Sequence, residues 1–332
     1  MKALLSVETG GPETLRIGEL AAPSPAPDQI LVDVHACAIN YPDTLLIVDQ
    51  YQMRPPRPFA PGGEVAGVVA AVGADVKDFS IGDRVFGAPG VGGLAEQVAI
   101  DAANSYHLPA DKDFVSGSAL LLTYGTSIHA LVDRGRLQAG ETLLVLGAAG
   151  GVGLAAVEIG KALGARVIGA VSSEEKAKLV RSAGAHDVIV YPHQPLDKGA
   201  SKALADQFKA AVGSAGADVV YDAVGGDYCE PAVRSIAWEG RYLVVGFPAG
   251  IPRLPLNLTL LKSCDVCGVF WGAFAARAPD RNRAHIARLL DWWSEGKIAP
   301  HVTATFPLDR GGDAIAALAE RAASGKLVVT LK

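Results

Sequence analysis

The sequence is poor in the residues on which several kinds of protein depend. Four cysteines in 332 residues are too few for a disulfide framework and fit a reducing compartment. Charged residues make up 20% of the chain and the net charge is -5, which leaves no basic footprint for nucleic acid or anionic lipid. No apolar run is long enough to span a bilayer, and the N-terminal MKALLSVETGGPETLRI lacks the long apolar centre of a signal peptide. A cytoplasmic protein with no membrane and no nucleic-acid partner is therefore expected. There is no G-x-S-x-G, so hydrolase chemistry has no nucleophile elbow. There is no H-E-x-x-H, and the seven histidines are scattered. His129 lies in an apolar helical stretch and reads as a packed residue rather than a base. Cys264-x-x-Cys267 has no second pair to complete a four-sulfur zinc site, and it falls at the strand-like DVCGVFWG, where residues three apart face opposite ways. Cys37 and Cys229 are isolated and read as buried fillers.

What the chain does contain is apolar and rhythmic. Half the residues are hydrophobic, as in an ordered globular protein, and 332 residues suggest two domains. Residues 1–122 read as short strands (ILVDVHACAI, EVAGVVAAVG, DRVFGA) cut by Gly- and Pro-rich turns, a compact β module. From Thr123 onward strands alternate with helices. TLLVLG, ARVIGAV, HDVIVY, DVVYDAVGG, RYLVVGF and DVCGVFWG are strands. VGLAAVEIGKALG, EEKAKLVRSAG, LDKGASKALADQFKAAVGS and the region of YCEPAVRSIAWEG are helices. That alternation means a doubly wound parallel sheet. After residue 272 come two helices, RNRAHIARLLDWWSEG and GDAIAALAERAASG, and a last strand, KLVVTL, expected to fold back into the first module. The expected division is 1–122, 123–271 and 272–332.

LGAAGGVG (146–153) follows the strand TLLVL and opens a helix. Ala148 stands at the first position of G-x-G-x-x-G, with Gly150 and Gly153 at the second and third. Gly150 and Gly151 would let the backbone approach a pyrophosphate, and Gly153 would let the helix pack on the sheet. The acid that accepts a ribose hydroxyl of NAD is expected about 20 residues later. Ser172 holds that place, followed by Ser173 and Lys176. Hydroxyl donors and a cation suit the 2′-phosphate of NADP instead. Ser172 and Glu175 also fit S-x-x-E, a capping box for the next helix.

The segments AINYPDTLLIVDQY, FAPGGEVAGVVAAVG, FSIGDRVFG, LTYGTSIHAL, GAAGGVGLAAVEIGKALGA, VYDAVGG and GRYLVVGF occur in this order. In them the chain resembles the medium-chain dehydrogenase/reductase superfamily, and within it the zinc-free quinone oxidoreductase group. The resemblance implies an α/β fold, a Rossmann sheet inserted in a GroES-like, mainly β catalytic domain. Zinc-dependent members carry a ligand cysteine where this chain has Asn40 and a ligand histidine where it has Gly63 of Gly62-Gly63-Glu64; their third ligand would fall near Leu121 or Leu122. Glu64 alone cannot hold a catalytic zinc, so no metal is expected. Without a Lewis acid the hydride acceptor must already be electrophilic, as quinones and enones are.

By the same resemblance, Asn40 and Thr126 face the nicotinamide or its ribose, and Gly150, Gly151 and Val152 meet the pyrophosphate beside Gly147 and Gly153. Ser172, Ser173, Lys176 and Tyr191 surround the 2′-phosphate, and Val224, Phe247, Phe270 and Trp271 complete the cofactor contacts. Core packing is the competing reading of Phe270 and Trp271. Tyr51, eleven residues after Asn40, matches a substrate-pocket tyrosine that can donate to a developing enolate oxygen; Tyr41 competes for that role. The expected activity is NADPH-dependent reduction of quinones or other conjugated carbonyls. The alternatives are an enoyl- or acrylyl-CoA-type reductase and an NADPH-binding protein with little turnover, of the crystallin-like or RNA-binding kind. A homodimer through the edge strand DVCGVFWG is implied.

Overall fold

A computed structural model describes residues 1–320 and 323–332. The chain divides into two compact units, Met1–Leu122 with Pro300–Lys332, and Thr123–Ala299.

The second unit is built on six parallel strands, Thr142–Leu146, Arg166–Val171, Asp187–Val190, Ala217–Asp222, Ile236–Val244 and Asp265–Gly268. Counted along the chain, they lie side by side in the order 3-2-1-4-5-6. TLLVL and RVIGAV are apolar along nearly their whole length because helices cover both faces of such a sheet. In the helix Lys198–Val212 the buried residues are Leu204, Ala205, Phe208 and Val212, a single stripe at helical spacing. The direction of strand addition reverses between the first and fourth strands, and ligands of open α/β sheets bind outside the C-terminal ends of strands at such a point.

Three boundaries differ from the sequence expectation. The helix sought in YCEPAVRSIAWEG covers only Cys229–Arg234, and Ile236 already pairs with Ala217 in the sheet. The strand of DVCGVFWG stops at Gly268, and Trp271–Arg277 is a helix. Cys264 therefore precedes the strand, and the opposite-faces argument does not reach it; all four cysteines are free thiols. The helices Trp271–Arg277 and Pro279–Ser294 belong to the second unit, not with the C-terminal segment. The Trp271 indole donates to Asn282 at 2.9 Å and joins the two helices, Arg281 and His285 both reach Asp133, and Ile286, Leu289, Trp292 and Trp293 are buried.

In the first unit, a sheet runs through Val302–Pro307, Lys326–Thr330, Gln29–Ile39, Val65–Val72, Arg84–Gly87 and Ser105–His107, with Gln97–Asp101 also pairing to Gln29–Ile39. The last strand does fold back, antiparallel to Gln29–Ile39 with Leu327 opposite Ile39 and Val329 opposite Cys37. Alternate residues of a strand share a face, and Ile30, Val32 and Val34 enter a core with Val65, Val85, Leu327 and Val329. The helix Gly311–Ala319 packs on that core through Ala314 and Ile315. The expected helix GDAIAALAERAASG extends over residues 321 and 322, which lie outside the described residues. Among the described residues no helix is long and apolar enough to cross a membrane.

Candidate active site

In the second unit, the glycine turn has the geometry its sequence suggests. Gly147 adopts φ +68°, and a Cβ there would meet the Val224 side chain at 2.6 Å. Gly150 caps the helix Gly151–Ala162. A Cβ on Gly150 would have only the Gly147 carbonyl within 4 Å, at 3.5 Å, so its outer side is open to a ligand. A Cβ on Gly153 would lie 2.1 Å from the Gly147 oxygen, so only glycine lets the helix start this close to the strand. The Val152 carbonyl accepts from Ser127, whose oxygen also bonds the Tyr221 hydroxyl at 2.9 Å. Those bonds tie the turn to the helix Leu121–Ile128, which carries the half-buried Thr126.

The two serines have separate tasks. The helix Glu174–Ser182 is capped by Ser173, which accepts from the Lys176 backbone N–H at 3.3 Å. The capping expected of Ser172 therefore falls one residue later. That releases the Ser172 hydroxyl, which accepts from the Lys176 ammonium at 3.3 Å. Burial lowers the Lys176 pKa and Glu175 opposes it. Tyr191 is buried, with its ring 4.5 Å from that of Tyr228. Phe247 and Phe270 are 50% and 58% exposed, so neither is core. Trp271 is partly packed: a Cβ on Gly125 would meet its indole at 2.8 Å. His129 is buried as expected, stacked on Phe274 at 3.9 Å, with Nδ1 2.7 Å from Asp133.

In the first unit, Asn40 is 5% exposed at the end of the long strand Gln29–Ile39. Its backbone N–H donates to Asp43 at 2.8 Å, and Gly62 donates to the other oxygen of that carboxylate at 3.0 Å. Burial pushes the Asp43 carboxyl up to about 6, against the pull of those two donors. Glu64 is fully buried. One oxygen accepts from the Leu122 N–H at 2.9 Å; the other accepts from the Asn40 amide at 3.0 Å and from Lys326 at 3.2 Å. Tyr51 is half-buried, and its hydroxyl has no hydrogen-bond partner among the described residues. Burial, and then the Asp43 charge, raise its pKa. Tyr41 is more exposed.

Lys326 is the residue that sequence reasoning missed. It opens the strand Lys326–Thr330 and is 4% exposed, with its ammonium 2.5 Å from Asn40 Oδ1 and 3.3 Å from the Ile39 carbonyl. A lysine is rarely buried unless paired. The available signal was Glu64: a carboxylate kept inside a β module without a metal needs another cation. Among the described residues no three His, Cys, Asp or Glu side chains come together as a metal site.

A parallel sheet of this order, with an open glycine turn at its first strand and a Ser–Lys pair after its second, defines a dinucleotide-binding α/β protein carrying a separate β-rich unit. Two family models match the chain: "Alcohol dehydrogenase GroES-like domain" over residues 26–110 and "Zinc-binding dehydrogenase" over residues 151–291. Quinone oxidoreductase-like protein 2 of Rattus norvegicus is 38% identical over 322 residues, covering 96% of this chain and 90% of its own. A probable oxidoreductase from Mycobacterium abscessus superposes with a TM-score of 0.87 at 37% identity, covering 100% of this chain and 99% of its own. The Escherichia coli quinone oxidoreductase, solved with NADPH, gives 0.90 at 29% identity and full coverage of both chains. The chain belongs to the quinone oxidoreductase group of the medium-chain dehydrogenase/reductase superfamily.

Proposed function

We propose that this chain is an NADPH-dependent, zinc-independent reductase of quinones or related conjugated carbonyls, with Met1–Leu122 and Pro300–Lys332 as its catalytic domain and Thr123–Ala299 as its cofactor domain. The observation that carries the reading is the Ser172–Lys176 pair at the end of the second strand, where a ribose-binding acid would otherwise stand. When bound, NADPH supplies the hydride. Gly150 offers open backbone to its pyrophosphate just before the helix that Gly151 begins, and Gly151 and Val152 meet it there, with Gly147 and Gly153 shaping the turn. Ser172 and Lys176, with Ser173 and Tyr191 nearby, hold the 2′-phosphate through charge-assisted hydrogen bonds. Val224, the exposed Phe247 and Phe270, and Trp271 flank the remaining cofactor, and Asn40 and Thr126 orient its nicotinamide.

Tyr51 is the group that meets the acceptor. Its phenol is neutral at physiological pH and uncommitted among the described residues, so it can donate to the oxygen on which charge accumulates. The names of the relatives support a quinone as acceptor, and the NADPH complex of the E. coli protein supports the cofactor. A cytoplasmic homodimer completes the reading. Among the described residues the edge strand Asp265–Gly268 has one unpaired side and an exposed Val266, and pairing with a second copy would cover it.

The test is oxidation of NADPH, against NADH, by EDTA-treated protein with 1,4-benzoquinone and then with crotonyl-CoA. NADPH-selective turnover of the quinone is expected. Turnover confined to the thioester would make the protein an enoyl-thioester reductase, and none with either would leave a cofactor-binding protein.

A further inference from the structure

The Asn40 amide has almost nothing left to offer a ligand. Its Nδ2 donates to the Ala38 carbonyl at 3.2 Å and to Glu64 at 3.0 Å, which uses both hydrogens. Its Oδ1 accepts from Lys326 at 2.5 Å. An amide can be flipped only if its neighbours tolerate either end. Here they do not: an ammonium has donors and no acceptor, and a carboxylate has acceptors and no donor. Reversal would set the amide N–H against the ammonium and its oxygen against Glu64, with every atom buried. The ammonium is itself fixed, because its three hydrogens go to Asn40, Glu64 and the Ile39 carbonyl.

We propose that Lys326 is a positioning residue which locks the Asn40 amide in one orientation, so that Oδ1, not Nδ2, is the atom Asn40 presents. Asn40 then acts as a hydrogen-bond acceptor, and the group it receives is a donor of the reduced nicotinamide riboside, a ribose hydroxyl or the carboxamide N–H. This rests on the NADPH-dependent reading above. Lys326 does not touch the reactants. It acts through Asn40, from a strand that lies 286 residues away in sequence.

Two measurements separate the parts of this inference. The chain holds Asn40, Asn104, Asn257 and Asn282, so selective 15N-asparagine labelling gives few side-chain NH2 pairs, and the pair missing in Asn40→Ala identifies Asn40. In the wild type that pair is expected to exchange slowly with solvent. In Lys326→Met it is expected to exchange at least tenfold faster, with Lys326→Arg restoring protection. Unchanged exchange in Lys326→Met would overturn the proposal without any cofactor present. If Lys326→Met does not fold, Lys326→Gln is read by the same signal, because it keeps a donor and removes the charge.

The second measurement is a double-mutant cycle on kcat at saturating NADPH with 1,4-benzoquinone. Lys326→Met and Asn40→Ala are each expected to lower kcat about tenfold, and the double variant no further, because one acts through the other. Fully multiplicative losses, or a Lys326→Met that lowers only Tm, would overturn the proposal. A wild type that oxidises no NADPH with any acceptor would instead sink the functional reading and leave the exchange result to stand or fall alone.

Discussion

Lys326 in the first unit and Asp133 in the second each gather three partners, yet they treat solvent differently. Lys326 and Glu64 are both enclosed, and every hydrogen of the ammonium ends on a buried acceptor. Asp133 receives His129, His285 and Arg281, but the Arg281 side chain is 61% exposed and stacks over Phe274 at its edge. The closed set cannot relax when one member goes, because water does not reach the charge left behind. The open set can recruit water at its outer side. A buried ion pair is thus weak proof of net stability but a strong constraint on geometry, which is why the closed set stands beside Asn40.

The largest break in this comparison is Lys326→Met. It leaves the Glu64 charge buried without its cation, for an expected loss of about 3–5 kcal/mol, measured by urea denaturation at pH 7. Adding Glu64→Gln is expected to restore part of that loss, since the stranded charge goes too. Asp133→Asn comes next, at about 2 kcal/mol, the range for buried donors left partly unsatisfied. Arg281→Ala is expected to cost under about 1 kcal/mol, because its side chain is mostly in water. Equal losses in Lys326→Met and Arg281→Ala would abolish the distinction between the sets.

The pH dependence sharpens it. Asp43, beside the closed set, has its pKa raised from 3.8 to about 6. Between those values the folded chain holds a proton that the unfolded chain releases, so stability from this group falls as pH rises through the window. The open set has the opposite sign. Burial opposes ionisation of Asp133, but the bonds from His129, His285 and Arg281 together hold its pKa below 3.8, so its contribution is lost as pH falls through the folded value. Burial also lowers the His129 pKa below 6.5, and stability declines as acid protonates the unfolded chain first. Urea midpoints of Asp43→Asn and wild type are expected to converge as pH drops from 7 to 4. Asp133→Asn and wild type are expected to converge only below about pH 4.

A last pair of variants separates the two adjacent serines. Ser172→Ala, which removes the hydroxyl under the Lys176 ammonium, is expected to raise KM for NADPH about tenfold and leave KM for NADH unchanged. Ser173→Ala is expected to cost about 1 kcal/mol of stability through loss of the helix cap, with a smaller change in cofactor preference than Ser172→Ala. Reversed outcomes would return the cap to Ser172.

The doubly wound sheet was legible because its signals are local. A strand such as TLLVL is apolar along nearly its whole length, a helix such as Lys198–Val212 shows one buried stripe, and the glycines of LGAAGGVG answer to distances of a few residues. The serine roles were only half legible, because S-x-x-E fits Ser172 while the chain turns into the helix one residue later. The short helix Cys229–Arg234 and the helix from Trp271 were misjudged because sheet pairing at Ile236 and its end at Gly268 overrode local pattern.

The sequence by itself determined the alternation of strands and helices in the doubly wound sheet and the glycine turn, since each depends on residue type at short spacing. Only the tertiary structure decided the partners of Glu64 and the orientation of Asn40. Those depend on a lysine from the far end of the chain, brought in by the pairing of Leu327 with Ile39. A charge buried by a long-range strand has no local periodicity to announce it, because its partner is chosen by the need to neutralise a carboxylate that water cannot reach.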